Sequence, residues 1–415
     1  MNILIINHYA GSPELGMEYR HYYLGKEWVK MKHSVTIVAA SYSHLRTYQP
    51  EITQIFNEEV IDGIKYIWLK TPSYYGNGAG RIWNMFVFIT RLFLFSKKIL
   101  KITKPEAVIA SSTYPLDIFP ASRIARRIKA KLIFEVHDLW PLTPMELGNY
   151  SKLHPFILLV QFAENYAYRN ADQVVSMLPL ALDHMAKHGL KPDKFNYIPN
   201  GIDVSGWNSK LSIPDEYKIL INKLTSDDKI LVGYAGSIGI ANALDSLVDA
   251  AKLLADEKIS FLVVGKGSEK QRLIQKVTDY NLSNFFFINP VYRELIPSLL
   301  SKFDIVYIGL KRQKLFRFGI SPNKLIDYMM AARPVIHSIE SGNDLVKESG
   351  CGISAEAENP ESVARAIKTL VQLDKVKREE MGLKGKEYVI RNHNYESLSQ
   401  QFVWILDNLN RNNLS

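Results

Sequence analysis

The residues best equipped for chemistry lie in FGISPNKLIDYMMAARPVIHS, residues 318–338. Ser321 is placed to cap a helix, and Pro322 to open it at the first position, where a missing N–H costs nothing. The amides of Asn323 and Lys324 then face the preceding turn, and the Lys324 ammonium adds a full positive charge. Amide donors, a helix dipole and a cation together make a cradle for a diphosphate. Asp327 follows three residues later on the same helix face; beside a nucleotide, such a carboxylate accepts the two ribose hydroxyls. The plainer reading is a surface Lys–Asp pair. Two further turns carry glycines after apolar runs: YAGSIGIAN (234–242), with Gly236, Ser237 and Gly239, and VVGKGSEKQRL (263–273), with Gly265 and Gly267. Each alone is only a strand-to-helix turn. Together with SPNK they predict a nucleotide-diphosphate site.

Two more turns stand out near the other end of the chain. EVHDLWPLTP places His137 and Asp138 at the end of an apolar run, where an imidazole can hold or move a proton near neutral pH. The alternative is a histidine satisfied by backbone. NHYAGSPELGMEYR (7–20) holds Gly11 and Gly16, which let backbone approach a ligand, ahead of a helix expected from about Met17. It is not GxGxxG, so a dinucleotide oxidoreductase gains no support.

These turns need strands and helices to position them. Apolar runs at 2–7, 34–40, 64–70, 107–111, 131–137 and 173–178 read as strands, as do 229–236, 259–265, 285–290, 303–309, 333–338 and 350–355. Helical spacing fills 17–32, 116–130, 242–256, 268–280, 292–301 and 323–332, then 361–374, 376–391 and 395–412. Apolar strands alternating with helices predict an α/β fold with parallel sheets covered on both faces. Two series in 415 residues predict two Rossmann-like domains. The expected division is 1–200, with the last helix (395–415) packing back on it, a linker at 201–228, and 229–394. The single cysteine, Cys351, excludes an intrachain disulfide and a Cys-rich zinc site, and suits a reducing cytosol. The first residues lack the basic start and long apolar run of a secretory leader.

The net charge of +9 is concentrated. Between Arg81 and Lys131 eleven Lys and Arg face two acids, an excess equal to that of the whole chain. An anionic surface or ligand is the expected partner, and no nucleic-acid-binding signature accompanies it. Segment 81–101, RIWNMFVFITRLFLFSKKILK, is apolar and aromatic, with Asn84, Arg91 and Lys98 recurring every seven residues as a narrow polar stripe. A mid-run arginine argues against a spanning helix. A helix lying in the membrane interface is expected instead, with the basic run 123–131 on anionic lipid; a buried helix is the alternative.

Taken together, the Gly-rich first turn, HDLWP, IPNGID (198–203), YAGSIG, VVGKGSE and SPNKLIDYMMAARPV resemble retaining glycosyltransferase family 4, within the bacterial O-antigen and capsule subgroup and its N-acetyl-fucosamine transferases. The resemblance covers nearly the whole chain. It implies the GT-B fold, two Rossmann-like domains with their sheets facing across a cleft. It also implies transfer from a nucleoside-diphosphate sugar, a UDP-sugar by preference and an N-acetylated amino sugar among the candidates. The acceptor would be a polyprenyl-diphosphate-linked sugar at the cytoplasmic face of the inner membrane, and no cofactor or obligatory metal is needed. Donor contacts are implied for Gly236, Ser237, Gly239, Gly265, Gly267, Arg317, Ser321, Pro322, Asn323, Lys324 and Asp327. Acceptor contacts fall to Gly11, Gly16, Glu18, Arg20 and Asp138, with His137 near the transferring sugar and Lys324 beside the leaving group. Asp327 falls where the family has the second Glu of its Glu-x7-Glu pair, the first being replaced by Gly319. The Arg and Lys that usually follow the YAGSIG turn are absent, so Lys324 with Arg312 or Arg317 is the expected substitute. Two rival readings are a nucleoside-diphosphate-sugar 2-epimerase and an inactive sugar-binding assembly protein.

Overall fold

The structure, a computed structural model, describes residues 1–17, 19–76, 78–208 and 211–411. The chain forms two compact units: Met1–Asn200 together with the segment from Tyr395, and Gly201–Asn394.

The first unit is built on strands β1 (Asn2–Ile6), β2 (Ser34–Ala40), β3 (Phe56–Ile61), β4 (Ile64–Leu69), β5 (Ala107–Ala110), β6 (Lys131–Val136), β7 (Gln173–Ser176) and β8 (Phe195–Tyr197). They form one sheet in the order β3-β4-β2-β1-β5-β6-β7-β8. All neighbours are parallel except β3, which pairs antiparallel with β4. This edge hairpin departs from the all-parallel expectation. Its signal was the Asp62-Gly63 pair, both at positive φ, between two β-rich runs. Exposed Glu58 and Glu59 keep the edge from recruiting another strand.

Around this sheet pack α1 (Arg20–Lys30), α2 (Ala79–Thr103), α3 (Ile118–Ile128), α4 (Leu142–Gly148), α5 (Pro155–Asn170) and α6 (Leu182–Lys187). The first helix starts at Arg20, three residues later than the sequence suggests, because Pro13–Leu15 form a separate 3-10 turn that ends on Gly16 in the left-handed region. In α2, residues Met85, Phe88, Ile89, Leu92, Ser96 and Ile99 repeat every three to four positions and face the core. Asn84 is buried too, donating to the Pro72 carbonyl at 2.6 Å, whereas Lys98 is exposed, so the seven-residue polar stripe does not form one face. Among the described residues no helix is long and apolar enough to cross a membrane.

The second unit carries α7 (Asp215–Leu224), β9 (Ile230–Ala235), α8 (Asp245–Leu253), β10 (Ile259–Val264), α9 (Lys270–Asp279), β11 (Phe285–Ile288), α10 (Ile296–Leu300), β12 (Ile305–Gly309), α11 (Asn323–Met330), β13 (Val335–Ser338), α12 (Leu345–Ser349), β14 (Gly352–Ser354), α13 (Pro360–Gln372) and α14 (Lys375–Asn392). Its strands run parallel in the order β11-β10-β9-β12-β13-β14. Alternate residues serve opposite faces. Leu231 and Leu262 pack with α7 and α11, whereas Val232 and Phe261 pack with α8 and α13. The chain then returns to the first unit as α15 (Tyr395–Arg411). There Phe402 meets Trp28 edge-on and the Trp28 indole donates to the Ser399 carbonyl at 3.1 Å.

Residues 201–228 are not a linker. Ile202, Trp207, Ile213, Ile221 and Leu224 are buried in the core of the second unit. Pro, Gly and Asn in this stretch mark turns between its apolar anchors rather than a flexible tether. Ile221→Ala should therefore cost about 2–5 kcal/mol, the price of a core cavity, where a linker position would cost under about 0.5 kcal/mol. Urea unfolding of the variant against wild type measures the difference.

Candidate active site

In the second unit the site forms where β9 ends. The Tyr328 hydroxyl, on α11, accepts from the Ala235 amide at 2.7 Å and lies 3.0 Å from the Ala235 carbonyl, tying strand end to helix. The chain then turns at Gly236. A Cβ there would lie 2.5 Å from Lys324 Cε, so only glycine leaves room for the lysine stem. Lys324 Nζ donates to Tyr234 Oη at 2.5 Å and to Asn242 Oδ1 at 2.9 Å, and sits 4.3 Å from the centre of the Tyr234 ring. Tyr234 in turn donates to the Ser237 carbonyl. All these partners are neutral, and no carboxylate pairs with Lys324 among the described residues. Loss of solvation draws its pKa down from 10.5 to about 7. The lysine nitrogen is thus held in place without a counter-charge. Beside it, Gly236, Ser237, Gly265, Lys266, Val291 and Ile296 line a pocket of about 260 Å³ at the carboxyl ends of β9 and β10, where open α/β sheets hold ligands.

Other expected donor residues fare differently. The helix begins at Asn323, with Pro322 as its cap in extended conformation and Ser321 one place outside, so the cap lies one residue later than expected. Asn323 is exposed at that first turn. Asp327 does not pair with Lys324. Both its oxygens accept from Arg293, one at 2.7 Å, so it is not the open carboxylate that a ribose contact requires. Arg317 is exposed; it donates to the Lys314 carbonyl and lies over the Phe318 ring, while Arg312 pairs with Glu340. Neither is a partner of Lys324. At Gly239 a Cβ would make only ordinary contacts, with Ser237 and Asn242, whereas Gly265 and Gly267 are crowded by the carbonyls of Gly236 and Ile238. Gly319 sits at φ 93°, ψ 170°, a conformation essentially restricted to glycine. A glutamate is therefore excluded at that position by backbone geometry.

The first unit gathers a different set. His137 follows β6, and its Nε2 lies 2.9 Å from Ser111 Oγ and 3.4 Å from Glu135 Oε2. His21 Nε2 approaches the same carboxylate oxygen at 2.8 Å, and Ser111 also donates to it. Arg20 Nε donates to Glu135 Oε1 at 3.0 Å. Burial pushes the Glu135 carboxyl up, but the Arg20 charge and the hydrogen bonds from His137 and His21 outweigh it and hold the group well below the usual carboxylate range. Burial lowers His21, which stays neutral despite Glu135. An anionic Glu135 assigns the His137 hydrogen to Nε2 and leaves Nδ1 as an acceptor for a substrate hydroxyl. His21, Glu135 and His137 bring three ligand-type atoms together, but Arg20 already neutralises this carboxylate and opposes a dication there.

Arg20 is buried, and its remaining nitrogens donate to the Pro199 and Ile198 carbonyls. It positions Glu135 and does not meet an acceptor. Gly11 and Gly16 are approached by Met17 and Thr47, not by open space, so this turn folds on itself. Asp138 is exposed at the end of β6, and Glu18 lies outside the described residues. Sequence reasoning missed Tyr234, Asn242, Arg293, Tyr328, Ser111, His21 and Glu135. Glu135 had left a signal: it is the one charge inside the apolar run LIFEV.

The lysine gives a signed expectation. Its folded pKa, about 7, lies below the unfolded value of 10.5. Between those values the unfolded chain holds more protons, so stability rises with pH across that window. The melting temperature of wild type relative to Lys324→Met should climb from pH 7 to pH 10. A constant difference would mean that the ammonium is solvated.

The profile of Glycosyltransferase Family 4 matches residues 16–205, and that of Glycosyl transferases group 1 matches residues 229–373. The chain is 25% identical over 301 residues to the probable glycosyltransferase WbjE of Pseudomonas aeruginosa, covering 69% of this chain and 71% of the relative. It is 23% identical over 255 residues, 58% of each, to WcaI of Escherichia coli (strain K12), described as a colanic acid biosynthesis glycosyl transferase. Among solved structures, sucrose-phosphate synthase of Thermosynechococcus elongatus superposes with a TM-score of 0.72 at 16% identity over 98% of both chains. Alr3699/HepE of Anabaena, in complex with UDP, superposes with a TM-score of 0.69 at 15% identity over 98% of this chain and 100% of that one. With the two parallel-sheet units, these matches place the chain in glycosyltransferase family 4, with the GT-B fold.

Proposed function

We propose that this enzyme moves a sugar from a nucleoside-diphosphate donor, a UDP-sugar by preference, to a polyprenyl-diphosphate-linked sugar during assembly of a surface polysaccharide, with retention at the anomeric carbon. The observation that carries the donor side is Lys324: a desolvated ammonium held by neutral groups beside a pocket at the strand ends. A diphosphate supplies the missing negative charge. The names of WcaI and of the HepE complex with UDP support the polysaccharide and the nucleotide UDP. As the glycosidic bond to the donor phosphate breaks, Lys324 and the first amides of α11 stabilise the charge that develops on the departing diphosphate. The acceptor hydroxyl attacks from the same face and its proton passes to the leaving phosphate oxygen. Asp327 and Glu135 are both engaged by arginines, so neither offers a ready nucleophile for a covalent sugar intermediate. His137 orients a substrate hydroxyl through Nδ1.

The membrane side of the proposal rests on α2, α3 and α5. On α2, Trp83, Phe86 and Leu94 face outward, with Trp83 63% and Leu94 72% exposed. Phe119 of α3 stacks on the exposed Phe162 of α5, and Arg123 lies over Phe93 of α2. The three helices thus carry outward-facing apolar side chains, with Arg123, Arg126 and Arg127 on α3. Such a surface suits an anionic bilayer. Each apolar side chain contributes up to about 1.5–3 kcal/mol, and each basic one about 1 kcal/mol that salt screens.

Incubation with UDP-, GDP- and dTDP-sugars, with and without a polyprenyl-diphosphate acceptor, tests the reaction. Transfer only with acceptor is expected; acceptor-free isomerisation or no turnover would support the epimerase or the assembly protein. Lys324→Ala should weaken nucleoside-diphosphate binding by about 1.5–3 kcal/mol. His137→Ala should lower turnover by about 10²-fold or more and leave that affinity unchanged. Replacing Trp83, Phe86 and Leu94 with Ser, all outward-facing, should release the folded protein from anionic vesicles, whereas salt alone only loosens it. A wild type that never sediments with such vesicles sinks the membrane proposal.

A further inference from the structure

A second cluster in the first unit takes no part in this chemistry. His184 lies on α6 and His188 caps its end, four residues apart, so both imidazoles fall on one helix face, with ring centres 4.6 Å apart. Glu164 of the neighbouring α5 is buried and points at them. One ligand-type atom from each of the three lies within 4.8 Å of the others. His184 Nε2 stands 3.4 Å from Glu164 Oε1. That is long for a charge-assisted hydrogen bond, about 2.7–2.9 Å. It equals the edge of a tetrahedron around an ion with bonds of about 2.0–2.1 Å, namely about 3.3 Å.

Charge argues the same way. Glu164 accepts from Gln161 Nε2 at 2.7 Å and from the Tyr168 hydroxyl at 3.0 Å, both neutral donors. No lysine or arginine donates to it among the described residues, whereas Glu135 holds Arg20. A buried carboxylate without a cation is costly. His188 Nδ1–H donates to Asn165 Oδ1 at 3.1 Å, the kind of outer partner that fixes a metal-ligating ring and leaves Nε2 free of hydrogen. Both histidines keep partial exposure, which leaves a path for an ion from solvent.

We propose that Glu164, His184 and His188 bind one divalent transition-metal ion of the zinc class, which staples α6 to α5. Two imidazoles and one carboxylate suit Zn²⁺ and not Mg²⁺ or Ca²⁺, which take oxygen ligands, and water fills the fourth position. At six residues, α6 is too short to hold its shape alone, and the ion supplies a cross-link. The test uses the full chain stripped with a chelator and titrated with Co²⁺, then with Zn²⁺ in competition. Wild type should take up about one equivalent of Co²⁺ with a tetrahedral ligand-field spectrum. His188→Gln, close in size, should weaken uptake at least 100-fold, and His137→Gln should leave it intact. Zn²⁺ should raise the melting temperature of stripped wild type but not of His188→Gln. The proposal fails if stripped wild type takes up no Co²⁺, if His188→Gln binds it as wild type does, or if His137→Gln is the variant that loses it. Should His188→Gln not fold, the Zn²⁺-dependent melting shift and Co²⁺ spectrum of wild type against His137→Gln decide alone.

Discussion

Taking a lysine out of water is costly unless an anion meets it, and no anion within the second unit meets Lys324. Much of the local architecture keeps it there. Gly236 makes room for its stem, Tyr234 and Asn242 fix its nitrogen, and Tyr328 locks the strand end beneath it. The first unit treats buried charge in the opposite way. Glu135 is saturated by Arg20, His21, Ser111 and the His137 side, so its charge is spent on orientation within the protein. One unit buries a basic group with no counter-charge, and the other uses a met negative charge to set the tautomer of a histidine.

The departures from the family pattern belong together. Backbone at Gly319 turns into a conformation a glutamate cannot take, so the first carboxylate of the expected pair is absent. Asp327, without that neighbour, holds Arg293. The absent basic residues after the YAGSIG turn leave Lys324 as the cation seated at that turn. Two altered turns, after β9 and before α11, thus change which groups are charged, paired and open around the pocket.

Much of this was legible in the chain. Apolar runs alternating with helical spacing gave twelve strands close to their observed places, and the SPNK stretch pointed to Lys324. Helices α4, α5 and α6 went unread, since the stretches at 142–187 carry exposed leucines and aromatics that blur the periodicity. Residues 201–228 misled because Pro, Gly and Asn signal turns equally in a tether and in a packed arm; only burial of Trp207 and Ile221 separates the two. The partners of Lys324 and His137 were not legible because they come from distant positions. Tyr234 lies ninety residues from Lys324, and His21 lies 114 from Glu135. Such pairs exist only through sheet order.

The return of α15 to the first unit has a consequence for synthesis. The core around Trp28 includes Leu398, Phe402 and Leu406, so it lacks one wall until the last helix has been made. At roughly 5–20 residues per second, the intervening stretch of about 200 residues takes about 10–40 s to emerge. Throughout that time the nascent first unit displays the apolar side of α1 to solvent, while the second unit, continuous in sequence, is free to fold. The unit made first is the one finished last.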